Sequence, residues 1–152
     1  MFKKILTLIF ILNFLSSCEY KPIYSSSNKS NYRIIITDFS GDKKLNKYIV
    51  ENLKRNSQID SVEIISIKIN SEYSRKIIAK NNLGSTTDYQ ARAVTEFEIK
   101  RDEITEKLVV NEKFDYQKIS DSYEEKSYEQ TIKRNLASSI SQKLILRLST
   151  TK

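Results

Sequence analysis

The spacing of apolar residues changes character several times along this chain, and each regime predicts a different kind of structure. From Ile5 to Leu15 the residues are apolar throughout, broken only by Thr7 and Asn13. Residues 19–31 then hold the sole proline and the run Ser25-Ser26-Ser27-Asn28-Lys29-Ser30, the composition of a flexible spacer. From Tyr32 the character shifts again. Arg33-Ile34-Ile35-Ile36-Thr37-Asp38-Phe39 is short and β-branched, which predicts a strand with both faces at least partly covered. Ser40-Gly41-Asp42 supplies turn and capping chemistry, and Leu45, Tyr48, Ile49 and Leu53 follow at helical spacing, predicting a helix over 43–56.

The middle of the chain alternates instead. Ile65, Ile67 and Ile69 mark a one-sided strand within 62–80, and a slip of phase near Ser74-Arg75 predicts a bulge or bend there. Asn81 to Ser85 is a turn signal, with Gly84 suited to a positive φ. A second strand over about 88–101 puts Ala91, Ala93, Thr95, Phe97 and Ile99 on one face. A reversal at Asp102-Glu103 leads to a third, where Leu108, Val110, Phe114 and Tyr116 share a face. Tyr128, Ile132, Leu136, Ile140, Leu144 and Leu148 then recur every fourth residue, joined by Ala137 and Ile145, and describe an amphipathic helix over about 124–149. A four-residue repeat drifts around a 3.6-residue turn, so this stripe winds in a way that suits a twisted sheet. The order β-α-β-β-β-α predicts an α+β domain in two layers, with two helices on one face of a four-stranded, mostly antiparallel sheet.

The first apolar run does not belong to that domain. It is roughly half the ~20 residues that span a bilayer, it follows Lys3 and Lys4, and it ends in Leu15-Ser16-Ser17-Cys18. This is similar to the lipobox of bacterial lipoproteins, which implies removal of residues 1–17 and a diacylglycerol on Cys18 with an N-acyl chain such as palmitate. Two or three acyl chains hold a protein to a membrane almost permanently without spanning it. The expected division is therefore a signal peptide at 1–17, a lipidated tether at 18–31 and one periplasmic domain at 32–150. Cys18 is the only cysteine, so no disulfide is available. Glu19 stands where an Asp would favour inner-membrane retention in enteric bacteria, which points to the outer membrane, on its periplasmic face.

Composition narrows the chemistry. The chain has no histidine and two glycines, which removes His-based acid–base catalysis, nearly all zinc sites and glycine-rich phosphate loops. The carboxylate pairs Asp102/Glu103 and Glu124/Glu125 fall at a turn and a helix start, where acids are ordinarily solvated or complement the helix dipole. The expectation is a protein without catalytic residues, metal or cofactor. The formal net charge of +7 drops by two with Lys3 and Lys4 and still favours anionic partners, though not nucleic acid in an exported lipoprotein. Arg75, Lys76, Lys80 and Arg92 flank the Asn81–Ser85 turn, either as the charged rim of a hairpin or as a site for phosphate groups. Tyr73, Tyr89, Phe97, Phe114 and Tyr116 are core or cross-strand residues, or, on an uncovered face, partner contacts.

Together these parts resemble the LptE family of lipopolysaccharide-assembly lipoproteins. Cys18-Glu19-Tyr20-Lys21-Pro22-Ile23-Tyr24 is similar to the Cys-Gly-Phe-x-Pro-Leu-Tyr that opens many members, with Glu19 departing from the usual glycine. The element order matches, as do the Gly84 turn before Tyr89 and the Tyr123/Tyr128 pair opening a helix with Asn135-Leu136-Ala137. The resemblance implies a non-enzymatic plug inside the LptD β-barrel of the outer membrane, assisting its assembly and lipopolysaccharide transport; charge and placement, not the resemblance, make Arg75, Lys76, Lys80 and Arg92 the candidate lipopolysaccharide contacts. Two other classes stay open: an accessory lipoprotein of an ABC-type lipid transporter, and a hydrolase acting on lipid or cell wall.

Overall fold

A computed structural model describes residues 32–150, so Cys18, the signal peptide and the tether lie outside the described residues. Six elements follow in the expected order: β1 (Tyr32–Gly41), α1 (Lys43–Asn56), β2 (Glu63–Lys80), β3 (Thr86–Arg101), β4 (Ile104–Gln117) and α2 (Ser122–Thr150). The strands form one sheet in chain order, with β1 parallel to β2 and the other pairs antiparallel. The domain is an α+β sandwich of two layers. The α1 helix packs over β1 and β2, α2 over β3 and β4, and the helices pack on each other.

The alternation read from sequence becomes the two faces of this sheet. Ile65, Ile67 and Ile69 of β2 and Ala91, Ala93, Phe97 and Ile99 of β3 are buried against Leu45, Ile49 and Leu53 of α1 and Ile132, Leu136, Ile140 and Leu144 of α2. Each such aliphatic side chain contributes about 1.5–3 kcal/mol by leaving water. Small and large residues are matched across strands: Ala93 faces Tyr73, and Ala91 lies between Arg75 and Phe114. The opposite face of the sheet carries Lys68, Glu98, Glu96 and Lys107, linked as the exposed pairs Lys68–Glu98 (2.9 Å) and Lys107–Glu96 (3.0 Å).

The joint between β1 and α1 is the tightest in the fold. Gly41 has φ +89, and a Cβ there would sit 1.8 Å from the Ser71 carbonyl oxygen. That close approach lets the Asp42 N–H donate to Ser71 O at 2.8 Å. Asp42 then caps α1, its Oδ1 accepting from the Leu45 N–H at 2.8 Å, while Oδ2 takes a 2.8 Å hydrogen bond from Lys133 Nζ of α2. One carboxylate thus fixes the start of one helix and docks the other.

Two details differ from the sequence-based expectation, and one open alternative closes. The register slips occur at Ile77/Ala79 and Ala79/Lys80, and not at Ser74-Arg75. Tyr73 and Arg75 continue the helix-facing parity because both have partners on α2; the pairing slips only where β2 runs beyond them. The last helix starts at Ser122, two residues early, because Asp121 Oδ1 accepts from the N–H groups of Tyr123 and Glu124, both at 2.8 Å. Among Tyr73, Tyr89, Phe97, Phe114 and Tyr116, none lies on the uncovered face, since all share the parity of the buried alanines. Two turns behave as expected: Asp102, at φ +53, reverses β3 into β4, and Gly84, at φ +77, closes a loop organised by Asn81 Oδ1, which accepts from Leu83 and Ser85 N–H.

Candidate functional site

The far end of the β2–β3 hairpin carries all four cations singled out from sequence, and the sheet separates them. Odd-numbered positions of β2 face the helices, so Arg75 lies on the helix side, still about a third exposed, while Lys76 and, across the ladder, Arg92 lie on the open face; Lys80 pairs with Thr86 at the tip. The four therefore do not converge as one cluster.

On the helix side Arg75 is the hub of an aromatic and ionic network. Its guanidinium lies 4.4 Å from the centroid of Tyr89 and 3.2 Å from Glu125 Oε1, with Glu129 Oε2 at 4.0 Å. Tyr89 stacks on Tyr116 (5.6 Å), and Tyr116 meets Tyr128 edge-on (5.8 Å). Lys133, already bonded to Asp42, also sits 4.1 Å above the Tyr73 ring. Burial, followed by the nearby Glu129 carboxylate, raises the Tyr73 phenol well above its ordinary range. Burial likewise raises Tyr116, with Arg75 partly offsetting it. Both phenols therefore remain neutral at physiological pH. Burial alone would raise the Asp42 carboxyl, but hydrogen bonds from Lys133 and the Leu45 N–H, together with the Lys133 charge, outweigh it and hold the group below its ordinary value. The charges on this side are matched by one another, and Glu124/Glu125 sit at a helix start as expected, with Glu125 paired to Arg75.

The open side has the freer charges. Arg92 pairs directly across from Lys113 of β4, and Lys76 pairs with Gln90, one diagonal step from Arg92. Like charges directly opposite on one face are unfavourable by themselves. Among the described residues, Lys76 and Lys113 form no ion pair, while Arg92 donates to Asn111 Oδ1 at 3.1 Å. Such a triad can hold an anion by charge-assisted hydrogen bonds. Lys113 was not among the residues chosen from sequence. Its placement on the polar phase of β4 was readable, but its pairing with Arg92 depends on register. Beyond the triad the tip presents apolar surface, with Leu83 90% exposed and Ile77 and Ile78 half-exposed. Among the described residues there is no group of three or more acidic, Cys or His side chains that could hold a metal, and Asp102 and Glu103 occupy the β3–β4 turn. No helix among them is long and apolar enough to cross a membrane.

No family model and no curated protein matches the sequence. Solved structures share the fold. Rare lipoprotein B from Shewanella oneidensis is similar over 75% of this chain and 95% of its own, at 12% identity and a TM-score of 0.59. A lipoprotein assigned in Caulobacter crescentus is similar over 79% of this chain and 88% of its own, at 12% identity and a TM-score of 0.51. What they share is the fold. At such identity, the two-layer arrangement is common to all three chains while nearly every side chain on its surface is free to differ.

Proposed function

We propose that the protein is a lipoprotein held by acyl chains on Cys18 at the periplasmic face of the outer membrane, acting as plug and assembly partner of an LptD-type barrel in lipopolysaccharide transport. The observation that carries this reading is the fold, shared with rare lipoprotein B over 95% of that chain, and it is supported by a stretch before the domain that is similar to a lipobox. The uncovered face of the sheet supports it. A domain lodged in a polar barrel lumen needs an exterior of charged and hydrogen-bonding groups, and the open face offers Lys68, Glu98, Glu96, Lys107, Gln90 and Asp115 in mutual contact. The triad Lys76, Arg92 and Lys113, with the exposed Leu83 at the hairpin tip beyond it, suits a ligand that carries phosphate next to acyl chains. In this reading the protein turns over no substrate.

In-cell photo-cross-linking from Lys107 or Gln90 on the open face, followed by identification of the captured protein, tests the proposal. Capture of an outer-membrane β-barrel is expected. Capture confined to subunits of an inner-membrane lipid transporter would overturn it and favour the accessory-lipoprotein reading.

A further inference from the structure

The sheet has a vacant lane. In the parallel pair, β1 accompanies β2 only as far as Ser71, because the chain leaves the sheet at Gly41 and turns into α1. From Glu72 to Lys80, β2 pairs with β3 on one side and, among the described residues, has no strand on the other. The outward backbone groups can be assigned. Ser71 O accepts from the Asp42 N–H and Ile67 O from the Thr37 hydroxyl, so odd-numbered residues aim their N–H and C=O groups towards the β1 side. By the same alternation Tyr73, Arg75 and Ile77 aim theirs into the vacant lane, before the slip that follows Ile77. Unpaired edge groups of this kind are a template for another strand.

The surroundings select the occupant. Lys76 and Lys80 lie on the edge strand, and Lys43 and Lys44 follow the Asp42 turn at the near end of the lane. Among the described residues none of these four forms an ion pair, and Glu72 is the only acid on the edge. Two copies of β2 laid edge to edge in parallel would set Arg75, Lys76 and Lys80 against their own counterparts, which opposes that form of self-pairing. We propose that the lane beside Tyr73–Ile77 accepts an extended acidic segment of a partner protein as a fifth strand, continuing the line of β1. The inference is independent of the plug reading, and it uses the edge of the sheet, where the phosphate triad uses the face.

The probe is a fluorescein-labelled heptapeptide that alternates glutamate with valine, titrated against the full chain by anisotropy, with its lysine counterpart as control. Saturable binding of the glutamate peptide alone is expected, together with slowed amide exchange at Tyr73, Arg75 and Ile77. Ile77→Pro removes one lane-facing donor and leaves the β3 ladder intact, as edge prolines do, and should weaken binding about tenfold while Ile77→Ala keeps it. Should Ile77→Pro fail to fold, the double variant Lys76→Glu/Lys80→Glu serves instead and should switch preference to the lysine peptide. Binding that ignores both variants, or protection on β4, would overturn the proposal. So would a concentration-dependent dimer abolished by Ile77→Pro, or lane amides already protected until residues 19–31 are deleted.

Discussion

Asp42 holds two structures at once, and its two oxygens can be separated by mutation. Oδ1 caps α1 through the Leu45 N–H, an interaction of about 1 kcal/mol. Oδ2 binds Lys133, whose side chain is only 13% exposed, and loss of that partner leaves a largely buried ammonium with an unfilled hydrogen bond, at a cost of about 1–3 kcal/mol. Asp42→Asn keeps a capping oxygen and loses the charge, so it should cost about 1–2 kcal/mol, whereas Asp42→Ala loses both functions and should cost about 2–4 kcal/mol. With a urea slope of about 1–3 kcal/mol per molar for a domain of this size, the alanine midpoint should fall by about 1 M or more. The pH dependence adds a second, independent readout. The carboxyl is held below its ordinary 3.8 in the folded protein, so its stabilisation is complete above that value and disappears as pH falls through the lower folded value. The gap between the native protein and Asp42→Asn should therefore be constant from neutral pH to about 5 and close at pH values below 3.8. Equal losses for Asn and Ala at neutral pH would remove the capping role, and a gap that persists in acid would remove the Lys133 pair.

Gly41→Ala should destabilise by about 3 kcal/mol or more in the same unfolding assay, because its Cβ meets a backbone oxygen, while Gly84→Ala, with open space around it, should cost only about 1 kcal/mol of left-handed strain. Leu136→Asp should place a charge between α2 and the sheet and lose at least about 4 kcal/mol, read as loss of cooperative unfolding. Replacing Lys76, Arg92 and Lys113 by serine should weaken lipopolysaccharide binding in a pull-down and leave the melting temperature nearly unchanged, whereas Arg75→Ser should lower the melting temperature by releasing Glu125, Glu129 and Tyr89. Cys18→Ser should abolish labelling by a palmitate analogue and leave the domain folded; an unfolded variant would contradict a tether outside the core.

Periodicity made most of the fold legible. The two helices and the buried phases of β2, β3 and β4 follow from which residues can leave water together, and these were readable from Ile65-x-Ile67-x-Ile69 and from the repeat through Ile132, Leu136 and Ile140. What pairs across strands was not readable. Arg75 and Lys76 are neighbours in sequence and have opposite fates, because one parity step sets the first against the acids of α2 and the second on the open face. Lys113 joins Arg92 only through the β3–β4 register, and Lys133 reaches Asp42 across 91 residues of sequence. The capping oxygen of Asp121 is a short-range signal of the ordinary kind, masked in sequence by the acids Glu124 and Glu125 that follow it.

The parallel pairing of β1 with β2 also gives the domain a direction. Tyr32 begins beside Glu63, at the same end as the β3–β4 turn and the last turn of α2, where Arg101 bonds Leu148 O. The 18-residue β2 strand then runs away from that point to Leu83 and Gly84, on the order of 50 Å distant at the usual rise per residue. The chain therefore enters the domain at one pole, and the basic, apolar-tipped hairpin forms the other. An anchor placed ahead of Tyr32, as proposed for Cys18, would leave the hairpin as the part of the domain farthest from it.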